Sequence, residues 1–455
     1  MTTKRERSLS ELYQDDPARA DAEVFGRRTD ATRRGFLGGA GLVTMGAAVG
    51  GAIPFAANMP AGLIPAAFAQ DAKPAAPAAP AAAAAAKGPQ ILEFPGKEKG
   101  LVVLGDRPMV AETPEHLLDD DTTPIAKFFI RNNGTPPDQA ASPDAWSFKI
   151  DGEVATPLTL TVGELKSKYK AVTQRIVLEC GGNGRSFFQP TARGNQWTNG
   201  GAGCAEWTGV RLADVLKAAG VKPSAVHTGH YGADRHLSGD ETKDALSRGI
   251  PIADAMGEHA FLIWSMNGEP LPNIHGGPLR LVVPGFPASV SHKWLKRIWI
   301  RDKVHDGQGM GGTSYAVAIK PMVPGGKADD ANMRTMTNMP VRGIITNPAN
   351  GTKLAAGTRS LALRGAAWDG HEGVAQVDVS IDFGATWQQA SAADVRNRYD
   401  WRRWTATVSL PSDGYYEIWV RATDAKGRAQ PHVAGGWNPQ GYGANPMHRV
   451  AVLVG

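Results

Sequence analysis

Cysteine is nearly absent from this chain, because only Cys180 and Cys204 occur among its 455 residues. Two cysteines exclude a multi-disulfide scaffold. They leave two arrangements open: a single disulfide bridge, or one chemically active thiol beside one small buried thiol. The sequence also lacks a Cys-x-x-Cys-His motif, so we predict that no c-type haem is attached to this chain.

A strong excess of one charge is also lacking. The chain has 49 Lys and Arg against 44 Asp and Glu, a formal charge of +5, and no run rich in Lys or Arg. Since no RNA-binding aromatic motif accompanies this balance, we do not expect nucleic acid as a partner. The small cationic excess fits an anionic substrate or cofactor, and basic surface loops without a role would produce it equally well.

No apolar run is long enough to predict a permanent membrane anchor. The most apolar part of the N-terminal region, residues 38–66, is interrupted by Gly50, Pro54 and Pro60. It follows the sequence Thr-Arg-Arg-Gly-Phe-Leu, in which Arg33 and Arg34 form a twin-arginine export signature, and it precedes an Ala-Phe-Ala cleavage pattern at 67–69. We therefore predict a twin-arginine signal peptide over residues 1–69 and a periplasmic location.

The remaining sequence is rich in turn-forming residues, with 54 glycines and 32 prolines in the whole chain. Repeated Pro-Ala-Ala units at 70–90 predict a flexible linker, and residues 91–320 mix β-rich runs with helical stretches, as an α+β domain does. A second linker is predicted over 321–340, and six or seven strands within 341–455 predict an immunoglobulin-like β-sandwich with a tight turn at 381–384. The predicted elements are strands at 146–150, 175–178, 261–265, 279–283, 341–346, 360–367, 374–380, 404–410, 415–422 and 448–454, and a helix at 212–219.

One β-rich run ends in a cysteine and a glycine-rich turn, Arg-Ile-Val-Leu-Glu-Cys-Gly-Gly-Asn-Gly-Arg at 175–185. Taken alone, Cys180 is read as an inert buried thiol. The three glycines of the turn permit close backbone approach to a bulky group, and Arg185 offers a fixed fork for an oxyanion. Because a thiolate near positive charge is a soft ligand, this turn is suited to hold a metal.

The turn resembles that of the sulfite oxidase family of molybdopterin enzymes, in which a Cys-x-Gly-Asn-x-Arg turn supplies the protein ligand to molybdenum. Residues 128–132, Phe-Phe-Ile-Arg-Asn, are similar to a second element of that family, and residues 267–295 are similar to its pterin-binding run. The resemblance implies a molybdenum–molybdopterin cofactor with Cys180 as the metal ligand. It implies cofactor contacts from Phe129, Arg131, Asn132, Cys180, His275, Arg280 and Lys293.

The same resemblance implies the fold and the substrate side of the site. We expect an α+β molybdopterin-binding domain of the sulfite oxidase fold, followed by an immunoglobulin-like sandwich through which two copies dimerise. On the substrate side, Arg193 and Trp197 are expected at the mouth of the pocket. The catalytic residues implied in all are Cys180, Arg131, Arg185, Arg193, Trp197 and Tyr315.

The chain departs from its relatives at two positions. Gly184 and Gln440 stand where many members of the family carry arginine. We interpret this as the loss of two charge-assisted partners for a small free dianion, which would weaken its binding. Cys204 is interpreted as a packed structural thiol.

These features together imply transfer of an oxygen atom to sulfur at a molybdenum centre. We predict oxidation of the sulfane sulfur of a thiosulfate-derived intermediate bound to a sulfur-carrier protein, with a separate c-type cytochrome as electron acceptor. A plain sulfite dehydrogenase is the nearest alternative. A protein methionine sulfoxide reductase would need a wider and less cationic pocket, and a non-catalytic exported binding protein would leave the cysteine turn and the pterin-binding run unexplained.

Export can be tested at the arginine pair. Replacement of Arg33 and Arg34 by lysine should leave cofactor-loaded precursor in the cytoplasm, because a receptor reads both arginines. Cell fractionation with immunodetection of the chain measures the distribution, and the same replacement of Arg27 and Arg28, which precede the signature, is the control. Normal periplasmic activity of the first variant would refute the assignment.

Overall fold

The computed structural model describes residues 89–455. The predicted signal peptide and all but the last two residues of the predicted 70–90 linker lie outside the described residues. Within 89–455, no helix has both the length and the apolar character needed to cross a membrane.

The first part of the described chain is built from short strands with three short α-helices. The helices are α1 (Val162–Lys168), α2 (Leu212–Ala219) and α3 (Ile252–Ala255). The strands are β1 (Val102–Asp106), β2 (Met109–Glu112), β3 (Ile130–Arg131), β4 (Ser147–Gly152), β5 (Leu158–Thr161), β6 (Ala171–Glu179), β7 (Ala202–Arg211), β8 (His227–Gly232), β9 (Ser247–Arg248), β10 (Phe261–Met266), β11 (Glu269–Pro270), β12 (Arg280–Val282), β13 (Leu295–Arg301), β14 (Ala316–Ala318) and β15 (Met333–Thr335).

Three sheets organise these strands. β1, β2 and β3 form a small antiparallel sheet, and a second sheet has the order β11-β10-β7-β6 with β12 also paired to β10. The third sheet has the order β5-β4-β13-β8-β9. Apolar side chains from this third sheet and from α2 share one core with residues of β7, β10 and β12, which fixes the second and third sheets relative to each other.

The helix predicted at 212–219 is confirmed as α2. Its apolar residues are buried against the core, and it ends at Gly220, whose left-handed φ of 67° closes the helix. α1 begins with a capping box, since the Thr161 hydroxyl accepts from the Glu164 amide and the Glu164 carboxylate accepts from the Thr161 amide.

The C-terminal part is the predicted β-sandwich. One sheet has the order β16-β18-β22-β21 and the other β17-β24-β23-β19-β20. All six predicted runs are strands, and Gly384 has a positive φ of 83° in the predicted turn. The strands are β16 (Arg342–Asn347), β17 (Thr352–Leu354), β18 (Ser360–Trp368), β19 (Val374–Ser380), β20 (Gln388–Gln389), β21 (Ser391–Ala392), β22 (Arg402–Ser409), β23 (Gly414–Asp424) and β24 (His448–Val454).

The segment between the two parts carries its own structure. β14 pairs antiparallel with β15, which lies inside the segment 321–340 that was predicted as a linker. Met336 and Met339 are buried there, because this segment packs against the folded parts on both sides. The two parts also meet through polar contacts, in which Arg364 and Arg403 of the sandwich bind Asp119.

Candidate cofactor and catalytic site

A cavity lies where β3, β6 and β12 bring their ends together. β3 delivers Arg131, β6 is followed at once by Cys180, and β12 begins with Arg280. Eight of the predicted site residues line this cavity: Phe129, Arg131, Asn132, Cys180, His275, Arg280, Lys293 and Tyr315. Residues that are distant in sequence are therefore gathered into one site.

The turn after β6 holds Cys180 in the cavity wall. The Cys180 amide donates to the Gly201 carbonyl at 2.8 Å, and the Asn183 amide donates back to the Cys180 carbonyl at 2.9 Å. Glycine is required at 182, because a Cβ atom there would lie 2.6 Å from Arg185 Cζ. Cys180 and Cys204 are both free thiols, so the disulfide alternative does not hold in this structure.

Cations are concentrated on one side of the cavity. Lys293 Nζ donates to Asn132 Oδ1 and to the Ile274 carbonyl, each at 2.7 Å. Arg280 donates to the carbonyls of Ser291 and His275 at 3.1 and 3.0 Å. Within residues 89–455, the hydrogen bonds of these two side chains therefore go to neutral oxygen atoms.

Burial and mutual repulsion disfavour the charged forms of this cluster. Burial lowers the pKa of Arg280 to about 9, and burial followed by the charges of Arg280 and Lys97 holds the pKa of Lys293 well below its usual range. Burial also lowers the pKa of Lys97 to about 7, and Lys97 Nζ lies 2.7 Å from His275 Nε2. The pKa of His275 is far below its usual value for the same reasons, so its ring is neutral and Nε2 accepts from the lysine.

The lining also leaves polar atoms without partners. In the described part of the chain, Asn132 Nδ2, Ser289 Oγ and His292 Nδ1 are buried and make no hydrogen bond. Buried polar atoms without partners, beside cations that form no salt bridge within the described residues, are costly unless a bound group satisfies them. An anionic group rich in hydrogen-bond acceptors, such as a pterin phosphate, meets both needs, and the Cys180 thiol in the same wall suits a metal carried by that group.

One acidic side chain shares the cavity. Asp234 lines it, and burial raises the pKa of this carboxyl to about 6, while Lys293 acts in the opposite direction. Asp234 is the one acidic residue among the described lining residues, and it is outnumbered there by Arg131, Arg280 and Lys293. The cavity therefore favours an anion over a cation.

Three predicted residues do not line the cavity. Trp197 is fully buried and packs edge-to-face against Phe129, with ring centroids 5.9 Å apart, so it lies directly behind a lining residue. Within residues 89–455 its Nε1 makes no hydrogen bond, and its place on the substrate side stays a prediction. Arg185 donates to the carbonyls of Gln440 and Asn195, each at 2.7 Å. Arg193 is exposed on the surface, and its neighbour Gly194 lies against the Arg185 guanidinium.

The interpretation of Gly184 also needs correction. Gly184 has a φ of 85°, and a Cβ atom there would lie 3.1 Å from the carbonyl carbon of Ala444. A side chain at 184 would therefore start against the sandwich and not in the cavity, so this glycine does not mark a lost substrate contact. The Gln440 side chain lies nearby, and its Nε2 donates to Thr313 Oγ1 at 3.3 Å.

Several residues of the site were not identified from the sequence. Lys97 precedes every motif recognised in the two folded domains, and Tyr442 comes from the sandwich, where it stacks on Tyr315 with centroids 5.0 Å apart. Arg248 covers the Tyr315 ring at 4.5 Å. No spacing rule connects these positions, whereas His292, next to Lys293 in the pterin-binding run, carried a usable signal.

Comparison with known proteins matches two successive regions of the chain to families. Residues 133–308 match the family described as "Oxidoreductase molybdopterin binding domain" and residues 333–455 match "Mo-co oxidoreductase dimerisation domain". The chain is 32% identical over 382 residues to mitochondrial sulfite oxidase of Rattus norvegicus, covering 79% of this chain and 67% of the rat protein. It is 31% identical over 373 residues to sulfite oxidase of Gallus gallus, covering 78% of each.

A solved structure is similar over both parts of the chain. The sulfane dehydrogenase SoxCD from Paracoccus pantotrophus matches with a TM-score of 0.64 and 26% sequence identity. The match covers 85% of this chain and 96% of that one. The fold and the arrangement of the two domains are thus shared.

The cation cluster predicts a specific dependence of stability on pH. In the chain without a bound anion, Lys97 has a folded pKa of about 7 against an ordinary 10.5, so the unfolded state binds more protons between these values. The free energy of unfolding should therefore rise with pH above 7, by at most about 1.4 kcal/mol per pH unit for this one group. Thermal unfolding from pH 7 to 9 at constant ionic strength measures it.

Lys97→Met should reduce this slope, because it removes the titrating group. Lys353→Met, which changes an exposed lysine of β17, is the matched control and should leave the slope unchanged. If the free energy of unfolding of Lys97→Met changed with pH as steeply as that of the unsubstituted chain, the lowered pKa of a buried Lys97 would be contradicted.

Proposed function

Since the chain belongs to the sulfite oxidase family of molybdopterin oxidoreductases, we propose that it oxidises the sulfane sulfur of a carrier-bound, thiosulfate-derived intermediate. A c-type cytochrome takes the electrons. We choose sulfane sulfur as the substrate because the chain is similar, over both domains, to a sulfane dehydrogenase. The cationic cavity and its thiol supply the cofactor site that such chemistry requires.

The cofactor is held by the residues that the cavity brings together. His275, Arg280 and Lys293 hold the pterin and its phosphate, Asn132 supplies a free amide donor, and Cys180 binds the metal as a thiolate. When bound, the molybdenum cofactor supplies the two-electron oxidation of sulfur by oxygen-atom transfer. The phosphate offsets the repulsion among the buried cations, which couples cofactor binding to the stability of the fold.

The charge of Arg131 attracts the substrate, and the ring of Tyr315 orients it. Arg131 stands in the cavity lining and attracts the anionic sulfur group. The Tyr315 phenol donates to Asn133 Oδ1 at 3.3 Å, and its ring is held between Arg248 and Tyr442. This packing fixes the side chain that faces the reacting sulfur.

A carrier-bound substrate also needs a place to dock outside the cavity. Arg193 is exposed, and its backbone amide donates to the Pro439 carbonyl at 3.1 Å, next to the layer formed by Arg185 and Tyr442. Arg193 therefore lies on the solvent side of Arg185 and Tyr442, and Tyr442 in turn stacks on Tyr315. We assign to Arg193 the guidance of a carrier protein's terminal sulfane toward the cavity.

A plain sulfite dehydrogenase is the second candidate. The curated relatives are sulfite oxidases, and because Gly184 faces the sandwich, it no longer argues against free sulfite. A protein methionine sulfoxide reductase is disfavoured, because a neutral sulfoxide gains nothing from Arg131 in the cavity lining or from the exposed Arg193. We further propose homodimerisation through the sandwich and export to the periplasm by the twin-arginine route.

Ligation by Cys180 is testable with a pair of variants. Cys180→Ser should lose the metal and the activity, because a hydroxyl is a harder and far less acidic ligand than a thiol. Cys204→Ser is the matched control, since the Cys204 thiol is fully buried and burial raises its pKa well above the usual value. Elemental analysis of molybdenum per chain and turnover measure both variants. Normal turnover of Cys180→Ser would show that the ligand assignment is wrong.

The substrate choice is testable by turnover with the purified cytochrome. Carrier-bound sulfane should be oxidised faster than free sulfite, and Arg193→Ala should impair the first more than the second, by about tenfold in kcat/KM. Arg359→Ala, which changes an exposed arginine of the sandwich, serves as the control. Efficient turnover of free sulfite with none of the carrier-bound form would make the protein a sulfite dehydrogenase.

A further inference from the structure

The residue before the metal-binding cysteine is a buried carboxylate held by the other domain. Glu179 ends β6, and its Oε1 accepts from Arg342 Nε at 2.7 Å. Its Oε2 accepts from Trp368 Nε1 at 2.7 Å. Arg342 and Trp368 both belong to the sandwich, on the paired strands β16 and β18. The sandwich therefore contacts the chain one residue from Cys180.

Arg342 also binds the far side of the cysteine turn. Its Nη2 donates to the Asn183 carbonyl at 3.1 Å and to the Ala444 carbonyl at 2.5 Å. Its Nη1 donates to Asn199 Oδ1 at 3.0 Å. The guanidinium is completely buried, and its planar fork satisfies four acceptors at once, which a lysine ammonium with three donors cannot reproduce.

The acceptors of Arg342 are connected to the backbone of the turn. Asn183 Nδ2 donates to Glu179 Oε1 at 2.9 Å, and Asn183 Oδ1 accepts from the Gly201 amide at 2.9 Å. Gly201 is also the residue whose carbonyl accepts from the Cys180 amide. One arginine therefore holds both ends of the loop that carries the thiol.

The turn needs such support because of its composition. Three of the four residues between Cys180 and Arg185 are glycine, and glycine loses more conformational freedom on ordering than any other residue. A further contact comes from the sandwich, since the Gly443 amide donates to the Gly181 carbonyl at 3.0 Å. The sandwich therefore adds to the hydrogen bonds that the first domain makes with this turn.

We propose that Arg342 is a positioning residue, through which the domain matched as a dimerisation domain also fixes the Cys180 thiol in the cavity wall. The inference rests on the proposed function for the role of Cys180 as metal ligand. It makes the sandwich a working part of the metal site and does not depend on whether two copies associate.

The experiment compares three variants of the full-length, cofactor-loaded chain. Arg342→Lys keeps a positive charge beside Glu179 but loses most of the hydrogen bonds to the turn. The double variant Arg342→Met/Glu179→Gln removes both charges and leaves no unpaired buried ion. Arg364→Met is the matched control, because Arg364 is an arginine of the adjacent strand that also bridges the domains, through Asp119.

The principal measurement is amide hydrogen exchange in peptides that cover residues 180–185. Exchange there should be about tenfold faster in Arg342→Lys than in the unsubstituted chain, with no change in Arg364→Met. In the same proteins, kcat should fall by about 10- to 100-fold with KM within about twofold, because a loosened ligand affects the metal and not substrate capture. The electron paramagnetic resonance signal of the half-reduced metal should shift as well.

Unchanged exchange of the turn in Arg342→Lys, or an equal effect in Arg364→Met, would overturn the proposal. If Arg342→Lys does not fold, the double variant decides by the same criteria. Faster exchange in a protein that neither binds molybdenum nor oxidises sulfur would leave Arg342 as the positioning residue of the turn and refute the proposed function instead. Normal exchange with normal molybdenum content would refute the role of Arg342 and leave the proposed function standing.

Discussion

A group of buried cations that outnumbers the one carboxylate beside it is the constraint on which the site depends. Arg280 and Lys293 line the cavity with Asp234, and Lys97 lies behind them against His275. Burial lowers the pKa of all three cations, because a charge in a low dielectric is unfavourable. The hydrogen bonds to neutral carbonyls relieve only part of this cost. A bound anion would supply the missing charge, and the pterin phosphate of the family's cofactor is an anion of that kind.

The rest of the molecule can be understood as the support for that wall and for the thiol beside it. Short strands end at the cavity, so Arg131, Cys180 and Arg280 enter from three different elements. The sandwich completes the site from outside, through Arg342 on the cysteine turn and Tyr442 on the ring of Tyr315. Both domains thus contribute to the candidate site, and buried polar contacts such as that of Arg342 with Glu179 join them.

The sequence predicted the secondary-structure elements and the residues that line the cavity better than it predicted where individual side chains point. Helix 212–219 and the six sandwich runs follow from periodicity, and the motif residues around Cys180 and Lys293 do line the cavity. Gly184 was misinterpreted, because a motif gives the order of residues along the chain and not the side to which each points. Arg342 lies 162 residues after Cys180, and only the packing of the two domains brings them together.

The central claim is that the cationic wall and Cys180 form one cofactor site. Its most direct test is diffraction from crystals of the loaded enzyme, with anomalous data collected at the molybdenum absorption edge. The account predicts one metal peak per chain within bonding distance of Cys180 Sγ, and phosphate density within hydrogen-bond distance of Arg280 or Lys293. A metal peak away from Cys180, or a phosphate outside this cavity, would contradict it.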